Sequence, residues 1–250
     1  MLTDPYFFAI AAFAVVFAGV SKGGFGSGAA FVAGAILATM IDPGQAIGIM
    51  LPLLMLMDVT SLKPYWGKWL GRDSWVLVVG ALPGVALGAL LYTRVDADVF
   101  RFLIGAIALA FVAWQWGQRA GWIKTAHRSL PEWAGLAAGA VAGFTSFISH
   151  AGGPPAAVYL LSKRPTKTQF QASTVIIFWA INVAKAIPYT FLGLFTWETL
   201  ALDLVLAPFA ILGVFIGVKA HYWLPERWFF AVTYVLLGVT GVRLIWIALT

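Results

Sequence analysis

Ten apolar runs follow one another along the chain with only short loops between them, and they restrict the fold more than any other feature. The runs cover residues 5–21, 25–40, 44–62, 74–92, 98–117, 131–148, 153–162, 168–190, 198–218 and 227–248. A helix that crosses a bilayer needs about 20 apolar residues, and six of the ten runs reach that length. Because backbone polar groups inside a bilayer must be satisfied by the chain itself, we predict an all-α polytopic membrane protein.

The composition supports this class and argues against others. Hydrophobic residues make up 61% of the 250 residues and charged residues only 10%, which is far from the balance of a soluble domain. Cysteine is absent, and this excludes a disulfide framework and a thiolate metal site. The net charge of +6 lies in short loops, as it does in membrane proteins. We therefore expect no nucleic-acid partner, no cofactor and no metal.

Two glycine-rich stretches interrupt the apolar runs, at residues 21–28 and 149–155. Glycine adopts the backbone angles that let a chain reverse, and the two prolines that end the second stretch suit the first turn of a helix. We predict that one helix begins directly after the pair Gly23 and Gly24, and another at the pair Gly152 and Gly153 and the prolines that follow it. The unpaired N–H groups at such an N-terminus, with its partial positive charge, form a binding site for an anion.

The run at 153–162 is too short to cross, because ten helical residues span only about 15 Å. We therefore interpret residues 5–40 and 131–162 as hairpins that enter the membrane, break at the glycines and return to the same side. Irregular backbone at that depth is tolerated only where protein or a water-filled cavity surrounds it. Three crossing helices follow each hairpin.

Short motifs also recur at a nearly constant spacing. Asp58-Val59-x4-Pro64-Tyr65 matches Asn182-Val183-x4-Pro188-Tyr189 at an offset of 124, and Pro83-x4-Gly88 matches Pro208-x4-Gly213 at 125. A unit with an odd number of crossings reverses its copy, so we predict two inverted-topology repeats at 1–124 and 125–250, an arrangement typical of transporters. The repeat also predicts that Asp58 and Asn182 lie near each other.

The basic residues indicate an orientation. In the arrangement above, eleven of the sixteen Lys and Arg residues lie on one face and three on the other, while Lys22 and Lys185 remain inside the membrane. The positive-inside rule makes the first face cytoplasmic and places both termini in the periplasm. The cytoplasmic loops are then those at 63–73, 118–131, 163–167 and 219–227. If the arms of both hairpins cross the membrane fully, the loops fall on the same sides, so six crossing helices with two hairpins and ten crossing helices both remain open.

These motifs resemble the sulfite exporter TauE/SafE family. The resemblance is carried by the N-terminal glycine break, by its second copy at residues 144–155, and by Asn182-x2-Lys185-x2-Pro188-Tyr189. It implies transport of sulfur-containing anions, such as sulfite or organosulfonates, across the inner membrane of a bacterium. The expected partners are therefore a small anion and the lipid bilayer, and a homodimer is left open. In the first copy Lys22 and Asp58 stand where more apolar or neutral residues are expected.

Ten residues around the breaks and on the crossing helices are candidate ligands of the anion. They are Lys22, Gly23, Gly24, Ser27, Ser149, His150, Gly152, Gly153, Asn182 and Lys185. Serine hydroxyls and backbone N–H groups donate to anion oxygens without adding charge. A lysine within the membrane costs at least about 2.5–3.5 kcal/mol and faces a cavity or a partner, so Lys22 either faces the anion or pairs with Asp58.

The other polar candidates also have two interpretations each. Asp58 would repel an anion when ionised but not when protonated, so it is either a proton-coupling residue or a member of an ion pair. Lys185 either faces the site or extends to the outer interface. His150 either serves the anion and protons or is a hydrogen-bonded loop residue. Gln171 is expected to be an interface cap.

Two other classes of membrane protein are alternatives to a transporter. An anion channel would use the same helix dipoles without alternating access. An intramembrane enzyme could use Ser149 and His150, but neighbours in sequence rarely form a nucleophile–base pair, and the chain has no HExxH zinc signature. We therefore predict that the protein is not an enzyme.

Overall fold

The computed structural model describes residues 4–26, 29–122, 129–223 and 226–250, without the side chains of 222–228. Within these residues all regular structure is helical. The elements are α1 Pro5–Val20 followed by a π-helical turn Ser21–Phe25, α2 Phe31–Ala38, α3 Pro43–Tyr65, α4 Gly71–Tyr92, α5 Ala97–Arg119, α6 Glu132–Ser149, α7 Gly153–Ser162, α8 Lys167–Phe191, α9 Trp197–Trp223 and α10 Glu226–Leu249.

Polar side chains mark where several helices begin. Asp4 accepts from the N–H of Tyr6 at 2.9 Å at the start of α1, and Asp42 accepts from the N–H of Gly44 at 2.9 Å at the start of α3. A side-chain oxygen at this position satisfies an N–H group that has no partner within the helix. These caps fix the residues at which α1 and α3 begin.

Seven helices in the described residues are long and apolar enough to cross a membrane. Six of them confirm the six long runs predicted from the sequence. The seventh is Pro5–Phe25, with 21 residues, because the π-helical turn extends α1 through the first glycine pair. By contrast, α7 has ten residues. The protein is therefore a multi-pass membrane protein of helical class.

The first helix break, between Phe25 and Phe31, differs from the prediction. The pair Gly23 and Gly24 does not precede a new helix, because both residues lie inside the π-helical turn. The chain leaves the helix only at Gly26, whose φ of +81° favours glycine. The prediction that a helix begins directly after Gly24 is therefore wrong, since α2 begins at Phe31.

Close packing explains the first glycine pair better than a chain reversal does. A Cβ atom added at Gly23 would lie 2.4 Å from the carbonyl oxygen of Val214, and one at Gly24 would lie 2.2 Å from that of Gly217. Both contacts are with α9, so a side chain at either position would push the helices apart. Small residues at helix interfaces allow such close approach within a membrane.

The second helix break, between Ser149 and Gly153, confirms the prediction. Helix α6 ends at Ser149, and His150 takes a left-handed conformation with φ of 58°. Helix α7 then begins at Gly153, with proline in its first turn. Proline fits there because its missing N–H would have no partner in the helix.

The longer helices pack in pairs around the two breaks. Helix α1 and its π-helical turn pack against α9, α4 packs against α6, α3 against α8, and α5 against α10. Glycine brings α4 and α6 together, because a Cβ at Gly143 would lie 2.1 Å from the carbonyl oxygen of Ala81. These pairs hold the two breaks in the interior of the bundle.

Candidate functional site

A cavity of about 480 Å³ lies between the two helix breaks. Gly24 and Phe25 line it from the first break, and Gly153 and Pro154 from the second. The remaining walls come from α5, α8, α9 and α10 and from the α7–α8 connection. Residues more than 100 positions apart in the sequence therefore border one volume, which is large enough for a small molecule.

Helix α7 presents its N-terminus to this cavity. Gly153 is the first residue of the helix and lines the cavity wall. Because the two prolines that follow have no N–H group, the backbone donors of this turn are Gly153 and the residue before it. The partial positive charge of a helix N-terminus favours an anion at this place.

Polar and basic side chains from other helices complete the cavity wall. Gln171 and Thr174 of α8 line it, as do Arg119 of α5 and Lys167 at the start of α8. The Arg119 guanidinium lies 4.9 Å from the centroid of the Tyr234 ring, and Lys167 Nζ donates to a backbone carbonyl at 2.8 Å. The cavity thus combines a basic rim with neutral polar side chains.

The carbonyl groups at the end of the π-helical turn are satisfied by side chains. Gln171 Nε2 donates to the carbonyl oxygen of Lys22, and Tyr65 Oη donates to that of Gly23. His221 Nδ1 donates to the carbonyl oxygen of Gly24, and Ser21 Oγ donates to that of Gly26. A helix C-terminus leaves such carbonyls without partners inside the helix. Side chains of α3, α8 and α9 thereby fix the first break to the crossing helices.

Three of these donors were missed or misread in the sequence. Gln171 was expected to be an interface cap, but it is 1% exposed and bonds the Lys22 carbonyl, so that prediction is wrong. The sequence marks Tyr65 only as part of a repeated motif and indicates no role for His221. The available signal was a hydrogen-bonding side chain within an apolar run for Gln171, whereas Tyr65 and His221 lie just beyond the ends of the runs 44–62 and 198–218.

Lys22 and Asp58 form a buried ion pair. Lys22 is 2% exposed and Asp58 1%, and the Lys22 ammonium bonds the Asp58 carboxylate. Asn182 Nδ2 donates to the second carboxylate oxygen at 2.8 Å, which confirms the predicted proximity of Asp58 and Asn182. In this structure Lys22 therefore pairs with Asp58, which is the second of the two interpretations given for Lys22.

Lys185 and His150 form a second buried group. Lys185 Nζ donates to His150 Nδ1 at 2.8 Å and to the carbonyl oxygen of Ser146 at 3.0 Å. Because lysine only donates, the His150 proton lies on Nε2, which donates to the carbonyl oxygen of Ile47 at 3.2 Å. Lys185 is fully buried, so the alternative of a side chain that extends to the outer interface is wrong.

The structure does not bring the ten candidate ligands together at one site. Gly24 and Gly153 line the cavity, whereas Lys22, Asn182, Lys185 and His150 are not among its lining residues. Ser149 Oγ donates to a carbonyl of its own helix at 3.2 Å. Gly23 and Gly152 lie in tight packing contacts, and Ser27 lies outside the described residues. In the described part of the chain, no three His, Asp or Glu residues form a potential metal site.

The helical bundle with seven membrane-length helices and two breaks beside a cavity defines a multi-pass membrane protein. The chain belongs to the sulfite exporter TauE/SafE family, whose model matches residues 11–244. This family is one of membrane transporters. No curated protein and no solved structure matches the chain.

Proposed function

We propose that the protein transports sulfur-containing anions, such as sulfite or sulfonates, across the inner membrane of a bacterium. The observation that carries this proposal is the cavity that both helix breaks border, in a chain of a sulfite exporter family. An anion that enters the cavity reaches the N-terminus of α7 at Gly153. Helix dipoles and neutral donors there replace part of the water that a buried charge loses.

The basic rim favours entry of the anion. Arg119 and Lys167 line the cavity on the side of the loops that the sequence assigns to the cytoplasm. Positive charges around a cleft raise the local concentration of anions and speed their association. The cavity of this structure is therefore open to the cytoplasm, if both termini lie in the periplasm as we propose.

We further propose that residues 1–124 and 125–250 are inverted repeats whose relative movement gives alternating access. Two hydrogen bonds support the repeat: Tyr65 Oη donates to the Gly23 carbonyl and Tyr189 Oη to the Phe147 carbonyl, each at 2.7 Å. Donors and acceptors are both 124 positions apart. The packing of α4 on α6 likewise corresponds to that of α9 on α1.

The buried groups around Lys22 and Lys185 hold the breaks to the crossing helices in this proposal. Lys22 joins the end of α1 to α3, and Lys185 joins the end of α6 to α8. A direct contact of either lysine with the anion, and a proton-coupling role for Asp58, stay predictions. They require these groups to exchange their present partners for the anion or a proton.

Flux through proteoliposomes tests the proposed function. Vesicles that contain the purified protein should take up radiolabelled sulfite, and unlabelled sulfite or methanesulfonate should compete, whereas chloride should not. Uptake should saturate with concentration and should proceed without discrete single-channel currents, because alternating access moves one anion per cycle. Uptake no faster than in protein-free vesicles would refute the proposal, and discrete single-channel openings that carry sulfite would show a channel.

A further inference from the structure

Asp203 is a buried acid that has no role in the transport cycle proposed above. It lies on α9, six residues from the start of that helix, and is only 7% exposed. Neither of its carboxylate oxygens has a hydrogen-bond partner among the described residues. Asp58 is also buried but has both Lys22 and Asn182 as partners. Asp203 therefore differs from the other acid buried in the membrane.

Among the described residues, the elements packed against α9 bring no basic side chain into contact with Asp203. These are α1, its π-helical turn and α3. Their titratable groups are Asp4 and Tyr6 at the start of α1, Lys22 in the turn, and Asp42, Asp58, Lys63 and Tyr65 at or on α3. Helix α9 itself adds Glu198, Lys219 and His221, and near its end Tyr222, whose side chain lies outside the described part of the structure. Asp4 and Asp42 are acids that cap helices, and Lys63 is exposed.

Lys22, the buried cation of these elements, lies at a different depth. The residue that follows it, Gly23, contacts α9 at Val214. Val214 is eleven residues beyond Asp203, or about 16 Å along the helix. That separation exceeds the reach of a lysine side chain, and Lys22 already pairs with Asp58. An ionised carboxylate at Asp203 would thus be buried without compensation, at a cost of several kcal/mol.

We propose that Asp203 is a proton-binding site that must be occupied for the periplasmic side of the transporter to close. The proposal rests on the proposed function and orientation, in which the start of α9 faces the periplasm. In the present structure the cavity opens toward the other face, and the Asp203 carboxyl is buried as a neutral acid. When α1, α3 and α9 separate on the periplasmic side, water reaches the carboxyl and it releases its proton to that water.

Through this site the transport rate depends on the pH of the periplasmic side, and the charge of Asp203 sets the direction of that dependence. At acidic external pH the carboxyl regains its proton, and the periplasmic side closes. At alkaline external pH it remains a carboxylate, which cannot be buried without a partner, so the return step slows. Transport should fall as external pH rises, toward the one-proton limit of about tenfold per pH unit.

Carbodiimide labelling tests the proton site without any transport substrate. Dicyclohexylcarbodiimide reacts with protonated carboxyl groups in apolar surroundings, and mass spectrometry locates the adduct. In the purified full chain, Asp203 should label several-fold more than Asp58, and its labelling should decrease as pH rises. Equal labelling of the two acids, or labelling at Asp203 that ignores pH, would overturn the proposal. Because no anion is needed, this result is independent of the proposed function.

Flux measurements test the link to transport. Methanesulfonate is the suitable probe, because its charge does not change over the pH range used. Asp203→Asn mimics the neutral acid and should transport at a rate independent of external pH, whereas the wild type should slow at alkaline pH. Glu198→Gln, an exposed acid on the same helix, is the matched control and should retain the wild-type response. A pH response in Asp203→Asn equal to that of wild type would refute the proposal.

The two experiments separate the possible failures. If wild-type vesicles move neither methanesulfonate nor sulfite, the proposed function fails, while labelling still decides whether Asp203 binds a proton. If Asp203→Asn does not yield a monodisperse protein, the labelling comparison within the wild-type chain decides alone.

Discussion

Single side chains in this protein act mainly by satisfying groups that a membrane interior leaves without water. Lys22 and Asp58 neutralise each other, and Tyr65 and Gln171 bond carbonyls at the first break. In an apolar interior, a group that loses its partner cannot turn to water instead. Substitution of one member of such a pair should therefore cost more than substitution of both.

The pair of Lys22 and Asp58 gives a direct test of this principle. Lys22→Met leaves a buried carboxylate with only its amide partner and should destabilise the protein by about 3–5 kcal/mol. Adding Asp58→Asn removes the uncompensated charge while keeping the hydrogen bond with Asn182, so the double variant should recover most of the loss. Thermal unfolding in one detergent measures this. Losses that simply add would show that the pair contributes no coupling energy.

Substitution of Lys22 and of Lys185 tests whether these lysines hold helices together or bind the anion. A lysine that touches the anion should matter more for a divalent than for a monovalent anion. Because Lys22 and Lys185 have protein partners, Lys22→Gln and Lys185→Gln should each lower stability. The predicted contact of either lysine with the anion adds a selective loss of dianion binding in its variant, and an unchanged ratio of the two affinities would remove that lysine from the site.

Arg119 should affect binding more than stability. It lines the cavity, and its guanidinium already stacks on Tyr234 at the protein surface. Arg119→Gln removes one positive charge from the rim and should weaken the apparent anion affinity about fivefold, or about 1 kcal/mol in a solvated setting. Lys68→Gln, an exposed residue outside the cavity, is the control and should change little. Titration at low and high salt should show the Arg119 effect shrink with salt.

At the scale of elements, the two glycine breaks perform different tasks. Gly24 lies against the backbone of α9, whereas Gly153 begins α7 at the cavity wall. The sequence predicted the same task for both, because both are glycine pairs inside apolar runs. The two tasks differ because α1 and its π-helical turn pack directly on α9 at the first break.

Substitutions at these two glycines should therefore differ in kind. A Cβ at Gly24 collides with the carbonyl of Gly217, so Gly24→Ala should destabilise the protein by about 1–3 kcal/mol. Gly153→Val should leave folding intact but prevent close approach of an anion to the backbone N–H. Unfolding temperature and anion affinity, measured on both variants, distinguish the effects. Normal affinity in folded Gly153→Val would remove the α7 N-terminus from the site.

At the scale of the whole molecule, the distribution of charge sets the proposed orientation. The chain has no cysteine, so single cysteines report on one position each. Cysteine at Thr250 should react with an impermeant reagent from the periplasmic side, and cysteine at Ser129 only from the cytoplasmic side. Reaction of both from the same side would overturn the topology and with it the direction in which the cavity opens.

The sequence by itself determined the membrane class, the six long crossing helices and the short helix α7, because run length against bilayer thickness is a local property. It also predicted the contact between Asp58 and Asn182. Only the tertiary structure decided that the first glycine pair packs against α9, that Gln171 and His221 bond the first break, and that Asp203 has no hydrogen-bond partner among the residues described. Each of these depends on which faces of distant helices meet. Glycine serves a reversal and a close contact equally well, so the residue type alone does not distinguish them.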